Sequence, residues 1–184
     1  LREKFTLRDL LEELQAEGLE LVAEAPFDRL RDARRSIEEV NIAGLRLGRL
    51  TIAQLPSPDP LALYRQIAEL QYEVAVIQAF APLPRVINPA VPTTGYDDVK
   101  RIALARIALE SIPSIQVDWS LYGPKLAQVA LTVGADDLDA EAHVLAHPIV
   151  IGRVLDVGLN LRLLGEVIRP GVVRPERVGE EMVG

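Results

Sequence analysis

The sequence contains no cysteine, and only two of its 184 residues are histidine. Without thiols, these residues form no disulfide, no zinc ribbon and no cysteine-ligated iron–sulfur cluster, and they offer no thiolate nucleophile. His143 and His147 stand four residues apart, a spacing that places two metal ligands on one face of a helix. The residues between them do not form a zinc-protease motif, and Pro148 follows at once, so we predict no metal site.

Basic charge and long apolar runs are also scarce. The formal net charge at pH 7 is −7. The densest basic cluster, Arg31, Arg34 and Arg35, is flanked by acids, which argues against binding nucleic acid through its phosphate groups. No apolar run approaches the roughly 18 residues that a membrane span needs, and no signal peptide is recognisable. We therefore expect a cytoplasmic protein that binds neither nucleic acid nor membranes.

Short apolar segments alternate with amphipathic helical segments, which predicts an α/β fold of about four βα units. The nearly continuous apolar run from Val74 to Phe80 is typical of a strand in a parallel sheet covered on both faces. A closed barrel of eight units needs about 200 residues or more. The length leaves three options, which are a half-barrel, an open α/β sheet and a half-barrel completed by a second chain. Of these we predict the partial, half TIM-like (βα) barrel over residues 1–140. Residues 141–184 form a separate C-terminal extension.

The extension is predicted to be partly β-structured. Its apolar and polar residues alternate from Val157 to Leu163, which is the period of a half-exposed strand. The edge strands of an open half-barrel present unpaired backbone groups unless another segment or chain covers them. The extension could cover such an edge or form a dimer interface, and we expect a homodimer or a heterodimer with a catalytic paralogue.

The segment Ile112–Leu131 (IPSIQVDWSLYGPKLAQVAL), followed by Gly134–Asp139 (GADDLD), resembles a family of radical S-adenosylmethionine (SAM) enzymes. These are the enzymes of the futalosine route to menaquinone, aminofutalosine synthase and dehypoxanthine futalosine cyclase, with the deazaflavin-cofactor synthases as relatives. Arg101–Leu109, Gln78–Pro82 and Arg2–Leu19 are similar to further elements of the same barrel. The resemblance implies that the chain corresponds to the C-terminal half of such a barrel.

The departures from this family matter as much as the match. The family's CxxxCxxC cluster motif is absent, together with the half of the barrel that carries it. Val22–Pro26 stands where the family has a glycine-rich stretch, and Pro82–Pro89 stands where it has a histidine-containing loop. We therefore expect no cofactor in this chain and no radical SAM chemistry by it alone. SAM would take part only with a missing half.

Several side chains are candidate contacts for a nucleoside-like ligand, and no catalytic residue is assigned. Three aspartates are expected at the C-terminal end of a strand, where barrels carry their active sites, and could bind a ribose hydroxyl or a cation. They could equally be solvated acids of a turn. The full set of candidates is Gln78, Thr94, Asp118, Trp119, Asp136, Asp137 and Asp139.

Individual candidates have structural alternatives. Trp119 could stack on a purine while Asp118 bonds its edge, or Trp119 could fill the core with Asp118 facing solvent or a helix. Thr94 precedes a helix whose free N–H groups could hold an anion, but simple N-capping by Thr94 or Asp97 is favoured. Lys125 could form a Schiff base, although the first turn of a helix usually faces water.

Three functions remain open. The first is a degenerate, non-catalytic relative of the futalosine enzymes that binds a nucleoside-like ligand or a partner chain. The second is the C-terminal portion of a working aminofutalosine synthase-like enzyme, whose cluster domain lies on missing sequence or on another chain. The third is a redeployed lyase or hydrolase that uses carboxylates at the strand ends, and this requires a desolvated carboxylate with a shifted pKa.

Overall fold

The computed structural model describes residues 6–54, 59–87 and 92–139. Helices and strands alternate along these residues in the order α1 (Leu7–Ala16), β1 (Leu21–Pro26), α2 (Ala33–Ile42), β2 (Arg46–Ile52), α3 (Leu61–Val74), β3 (Ala79–Pro84), α4 (Gly95–Ala108), β4 (Ser114–Asp118), α5 (Trp119–Tyr122), α6 (Pro124–Val133) and β5 (Asp137–Asp139). The predicted extension, 141–184, lies outside the described residues, so its β character stays a prediction.

The five strands form one parallel sheet in which spatial order follows chain order, β1-β2-β3-β4-β5. The helices also contact one another in chain order, α1 with α2, α2 with α3, α3 with α4, and α4 with α6. Since parallel crossovers share one hand, this order places the helices in a single layer on one face of the sheet. That is the arrangement of a (βα) barrel segment, and the predicted α/β fold of about four βα units is confirmed.

The hydrophobic core lies between the helix layer and the sheet. Tyr64 of α3 and Phe80 of β3 are fully buried and meet edge to face, with ring centroids 5.6 Å apart. Beneath them, the buried amide of Gln71 donates to the carbonyl oxygen of Ile77 and accepts from its N–H, at 3.1 and 3.0 Å. These bonds satisfy the backbone where the chain passes from α3 into β3.

The prediction of a strand over Val74–Phe80 was wrong for the first part of this run. Helix α3 continues to Val74 because Ile67, Leu70 and Val74 form its buried face, and β3 begins only at Ala79. A short apolar run does not distinguish a buried helix end from a buried strand. The helix stops at Ala75, which takes a left-handed conformation (φ 53°) and reverses the chain toward the sheet.

Strand β3 carries an irregularity that positions the residue following it. Leu50 of β2 pairs with Phe80, but Ile52 pairs with Pro84, so two residues of β2 span four of β3. Pro82 lies within this bulge, where its missing N–H removes no regular ladder bond. The N–H of Arg85 then donates to the carbonyl oxygen of Ile52 at 2.8 Å, which brings Arg85 level with the end of β2.

We expect Gly134→Ala to destabilise the fold by about 3 kcal/mol, measured by urea unfolding. Gly134 ends α6 at φ +127°, and an added Cβ would lie 2.7 Å from Cβ of Arg106. Gly18→Ala is the matched control, because Gly18 has φ +99° and open space around its Cβ position. The control should show only backbone strain, about 1–2 kcal/mol. Equal losses in the two variants would contradict the steric argument.

Candidate functional site

The face of the sheet opposite the described helices carries a cluster of polar side chains. Phe80 contacts α3, so Leu50 and Ile115, which pair with Phe80, also point toward the helices. Side chains alternate along a strand, so the neighbouring residues point the other way. We call the polar side chains of this open face and of the loop after β3 the polar lattice, and its members are Glu24, Arg49, Thr51, Arg85, Gln116, Asp118, Asp137 and Asp139.

Arg85 joins the two sides of the lattice. Its guanidinium group lies 2.9 Å from Oδ2 of Asp118, 3.4 Å from Oδ2 of Asp139 and 3.8 Å from Oε1 of Glu24. The Arg85 side chain is only 12% exposed, and within the described ranges its Nε has no hydrogen-bond partner. One side chain from the loop after β3 thus contacts carboxylates of β1, β4 and β5.

Arg49 makes a second set of bridges across the same face. Its Nε donates to Oε2 of Glu24 at 2.8 Å, and its Nη1 donates to Oδ2 of Asp139 and, at 3.4 Å, to Oε1 of Gln116. The Thr51 hydroxyl donates to Oε1 of Glu24 at 2.9 Å. Gln116 in turn donates to Oδ2 of Asp137 at 2.8 Å. Every member of the lattice is therefore hydrogen-bonded to another.

Asp118 faces a helix, as one part of the structural alternative considered above has it, whereas Trp119 does not fill the core. Asp118 is buried, with its side chain 4% exposed, and its Oδ1 accepts from the N–H groups of Ser120 and Leu121 at 2.9 and 3.1 Å. It therefore caps α5 while its other oxygen binds Arg85. Trp119 is 43% exposed at the same end of β4 and does not fill the core.

The expectation that all three acids of the Asp136–Asp139 run lie at the C-terminal end of a strand was wrong for Asp136. Asp136 precedes β5, at the edge where β4 begins, and accepts from Ser114 Oγ at 2.7 Å and from the Ile115 N–H at 3.0 Å. Arg106 donates to its other oxygen. The reason is that β5 starts one residue later, so only Asp137 and Asp139 project from the open face.

These contacts shift the ionisation of Asp136. Partial burial opposes ionisation, but hydrogen bonds from Ser114, Ile115 and Arg106 outweigh it and lower the pKa of Asp136. A general acid needs a raised pKa. Asp136 therefore gives no support to the lyase or hydrolase hypothesis. Burial does raise the pKa of Asp98, against a hydrogen bond from Thr93, but Asp98 lies on α4 and outside the lattice.

The other predicted residues lie apart from the lattice. Thr94 is the N-cap of α4 in a capping box with Asp97, so the capping alternative is the one observed. Gln78 directly precedes β3, at the N-terminal ends of the strands, and its amide donates to the Val76 carbonyl at 3.4 Å. Lys125 is exposed in the first turn of α6. His143 and His147 lie outside the described residues.

Sequence reasoning missed Glu24, Arg49, Thr51, Arg85 and Gln116. The signal for the first two was a charged residue at an alternate position within a largely apolar strand, which is typical of a sheet face without a covering helix layer. Arg85 carried no comparable signal, because its position depends on the bulge in β3. Its long-range partners come from strands that are distant in the sequence.

A groove of about 420 Å³ lies elsewhere, between the starts of α3 and α4. Its lining consists of Asp59, Pro60, Leu61, Asp97, Lys100, Arg101 and Leu104. It shares no residue with the lattice, and its lining comes from the two helices rather than from the open face of the sheet. We therefore take the lattice, where all five strands or their loops contribute, as the candidate site.

The residues present do not fit an iron–sulfur cluster. Such clusters are held by cysteine thiolates, and the 184 residues contain none. Among the described residues, no group of three or more histidine, cysteine, aspartate and glutamate side chains is arranged to hold a metal ion. In the same part of the chain, no helix combines the length and apolarity needed to cross a bilayer.

Consecutive parallel strands, a single helix layer and a polar inner face together define a segment of a (βα) barrel. Sequence comparison adds relatives. The aminodeoxyfutalosine synthase of Thermus thermophilus is 30% identical over 112 residues, 56% of this chain and 30% of that protein. The 5-amino-6-(D-ribitylamino)uracil–L-tyrosine 4-hydroxyphenyl transferase of Archaeoglobus fulgidus is 42% identical over 79 residues, 39% of this chain and 23% of that protein.

The aminodeoxyfutalosine synthase of Streptomyces coelicolor is 30% identical over 89 residues, 40% of this chain and 23% of that protein. The resemblance to futalosine enzymes is thus confirmed, and the chain spans less than a third of the length of these relatives. No family model matches the sequence. A sugar phosphate isomerase/epimerase from Parabacteroides distasonis superposes with a TM-score of 0.42 at 12% identity, covering 73% of this chain and 58% of its own. The fold assignment therefore depends on the strand order and not on that superposition.

We expect Arg85→Met to destabilise the protein by about 3–5 kcal/mol in urea unfolding, because it leaves the buried Asp118 without its counter-charge. Adding Asp118→Asn should recover part of this loss, since the amide still caps α5 and no charge remains unpaired. Arg34→Met is the control: Arg34 is 61% exposed and pairs with surface glutamates, so the loss should stay below about 1 kcal/mol. If the stability losses of Arg85→Met and Asp118→Asn simply add in the double variant, the coupling between the two side chains is contradicted.

The lowered pKa of Asp136 predicts how its contribution depends on pH. The folded-state pKa lies below the ordinary 3.8, so the contribution is complete above that value and disappears as pH falls through the folded pKa. Asp136→Asn should therefore be less stable than the native protein at pH 7 but equally stable well below pH 3.8. Urea unfolding at several pH values checks this, and a gap that widens in acid would contradict it.

Proposed function

We propose that this chain is a non-catalytic relative of the futalosine-pathway radical SAM enzymes and that it binds a nucleoside-like ligand on the polar lattice. The observation that carries the proposal is the convergence of eight polar side chains on the face of the sheet opposite the helices. In a (βα) barrel this face lines the interior, and ligands bind at the C-terminal ends of the strands. Arg85, Asp118 and Asp139 lie at that end.

An aromatic ring beside the lattice supports a ligand with a planar base. Trp119 follows Asp118 directly and leaves 43% of its surface exposed, although large apolar side chains are normally buried. An exposed indole next to fixed polar groups suits a molecule with one apolar face and several hydroxyl or amino groups. A nucleoside has this character, because its base stacks while its ribose forms hydrogen bonds.

The names of the relatives favour the same ligand class. Two of the similar proteins are aminodeoxyfutalosine synthases, and the region of similarity to the Thermus thermophilus enzyme spans 112 residues. The cluster ligands of a radical enzyme are missing from the 184 residues. Retained ligand binding without the radical step is therefore the function that we infer for this chain.

We expect Trp119→Ala to weaken the binding of adenosine about 5- to 150-fold, because stacking on an aromatic side chain contributes about 1–3 kcal/mol per base. Isothermal titration calorimetry with adenosine, SAM and a futalosine analogue measures the effect. Tyr72→Ala is the matched control, since Tyr72 is 87% exposed on α3, away from the lattice. Failure of all three compounds to bind the native chain would sink the proposal.

A second candidate is the C-terminal portion of a working radical SAM enzyme. It is favoured by the partial coverage of the relatives and by the two sheet edges, since β1 and β5 each have one neighbouring strand among the described residues. A cluster-bearing half would then pair with this chain, as a homodimer does not supply cysteine. Protein purified anaerobically from its natural source would contain iron and sulfide together with a longer or second chain. The first candidate predicts neither.

A further inference from the structure

We propose that the polar lattice binds its ligand through the ligand's hydrogen-bond donors, and that it therefore discriminates against phosphorylated nucleosides. This inference depends on the proposed function and names the class of ligand: neutral or cationic nucleosides rather than nucleotides. The inference follows from which charges, hydrogen-bond donors and acceptors of the open face are already paired with one another.

The positive charges of the lattice are already matched by carboxylates. Arg49 binds Glu24 and Asp139, and Arg85 binds Asp118, Asp139 and Glu24. A phosphate group recognised by arginine needs guanidinium N–H groups that point toward it in a forked geometry. An anion could use these groups only by displacing carboxylates that are 4–20% exposed.

The neutral donors of the lattice are also directed inward. The Thr51 hydroxyl donates to Glu24, and the Gln116 amide donates to Asp137. Among the described residues, Nε of Arg85 has no hydrogen-bond partner, but it is buried and lies 3.8 Å from Oε1 of Glu24. Acceptor capacity also remains: within the described ranges, Oδ1 of Asp137 and Oδ1 of Asp139 accept no hydrogen bond. These two carboxylates stand two residues apart on β5 and share the open face.

The charge balance of the face is negative. Among the described residues, the four carboxylates of Glu24, Asp118, Asp137 and Asp139 stand with two guanidinium groups, so that acids exceed bases by two. Charges at this separation interact strongly where water is partly excluded, and they are screened by salt elsewhere. An added phosphate dianion meets repulsion here, whereas an ammonium group meets attraction.

The rim around the lattice repeats this preference. Helix N-termini bind phosphate when their N–H groups are free. Four successive helices begin at the C-terminal ends of the strands. In each of them a carboxylate instead accepts a hydrogen bond from an N–H group of the first turn or of the N-cap residue. The carboxylates are those of Asp32 at α2, Asp59 at α3, Asp97 at α4 and Asp118 at α5.

The test compares three probes that differ only at the 5′ position: adenosine, 5′-amino-5′-deoxyadenosine and adenosine 5′-monophosphate. Calorimetry at pH 7 and low salt should give Kd values that rise from the amine through adenosine to the monophosphate. We expect at least about a tenfold difference between the amine and the monophosphate, shrinking as salt screens the charges. Equal or tighter binding of the monophosphate overturns this inference and leaves nucleoside binding intact. Binding of none of the probes overturns both.

A variant tests whether the lattice causes the discrimination between the amine and the monophosphate. Asp137→Asn removes one acceptor charge while keeping the size of the side chain, and Asp137 contacts only Gln116 in the lattice. It should reduce the ratio of the two Kd values several-fold. Glu110→Gln removes the same charge from an exposed position near the opposite end of α4 and should leave the ratio unchanged. An unchanged ratio in Asp137→Asn, and also in Asp139→Asn, would contradict the assignment.

Discussion

The open face of this sheet depends on the guanidinium group of Arg85. A carboxylate buried as deeply as Asp118 is stable only beside a compensating charge, and Arg85 supplies it while also contacting the first and fifth strands. Arg49 forms a second bridge between the first and fifth strands, through Glu24 and Asp139. The sheet can therefore carry acids on a face that none of the described helices covers, because each acid is held by a neighbour from another strand.

The sequence predicted the class of fold well and the site only in part. Amphipathic helices and apolar strands have periods that can be read locally, which is why the four βα units and the N-cap at Thr94 were predicted. The run from Val74 to Phe80 misled, since a buried helix end and a buried strand have the same composition. Apolar content without a period does not specify which of them forms.

The candidate site was likewise predicted only in part. Asp118, Asp137 and Asp139 were identified because a resemblance to known enzymes drew attention to their segment. Their cationic partners were not, because Arg49 and Arg85 reach them across 90 and 33 residues of chain, and no local pattern records such a pairing. Asp136 was grouped with its neighbours by sequence alone. One residue of offset in β5 assigns it to the other end of the sheet, where it ties α4 to β4.

The bulge in β3 has a mechanical consequence. A central strand usually couples its neighbours through an unbroken ladder, but the pairing of β3 with β2 shifts its register between Leu50 and Ile52. The ion pairs of Arg49 and Arg85 supplement that pairing, because both side chains contact carboxylates of β1 and β5. They thus connect the two outermost described strands, which share no backbone hydrogen bond with each other.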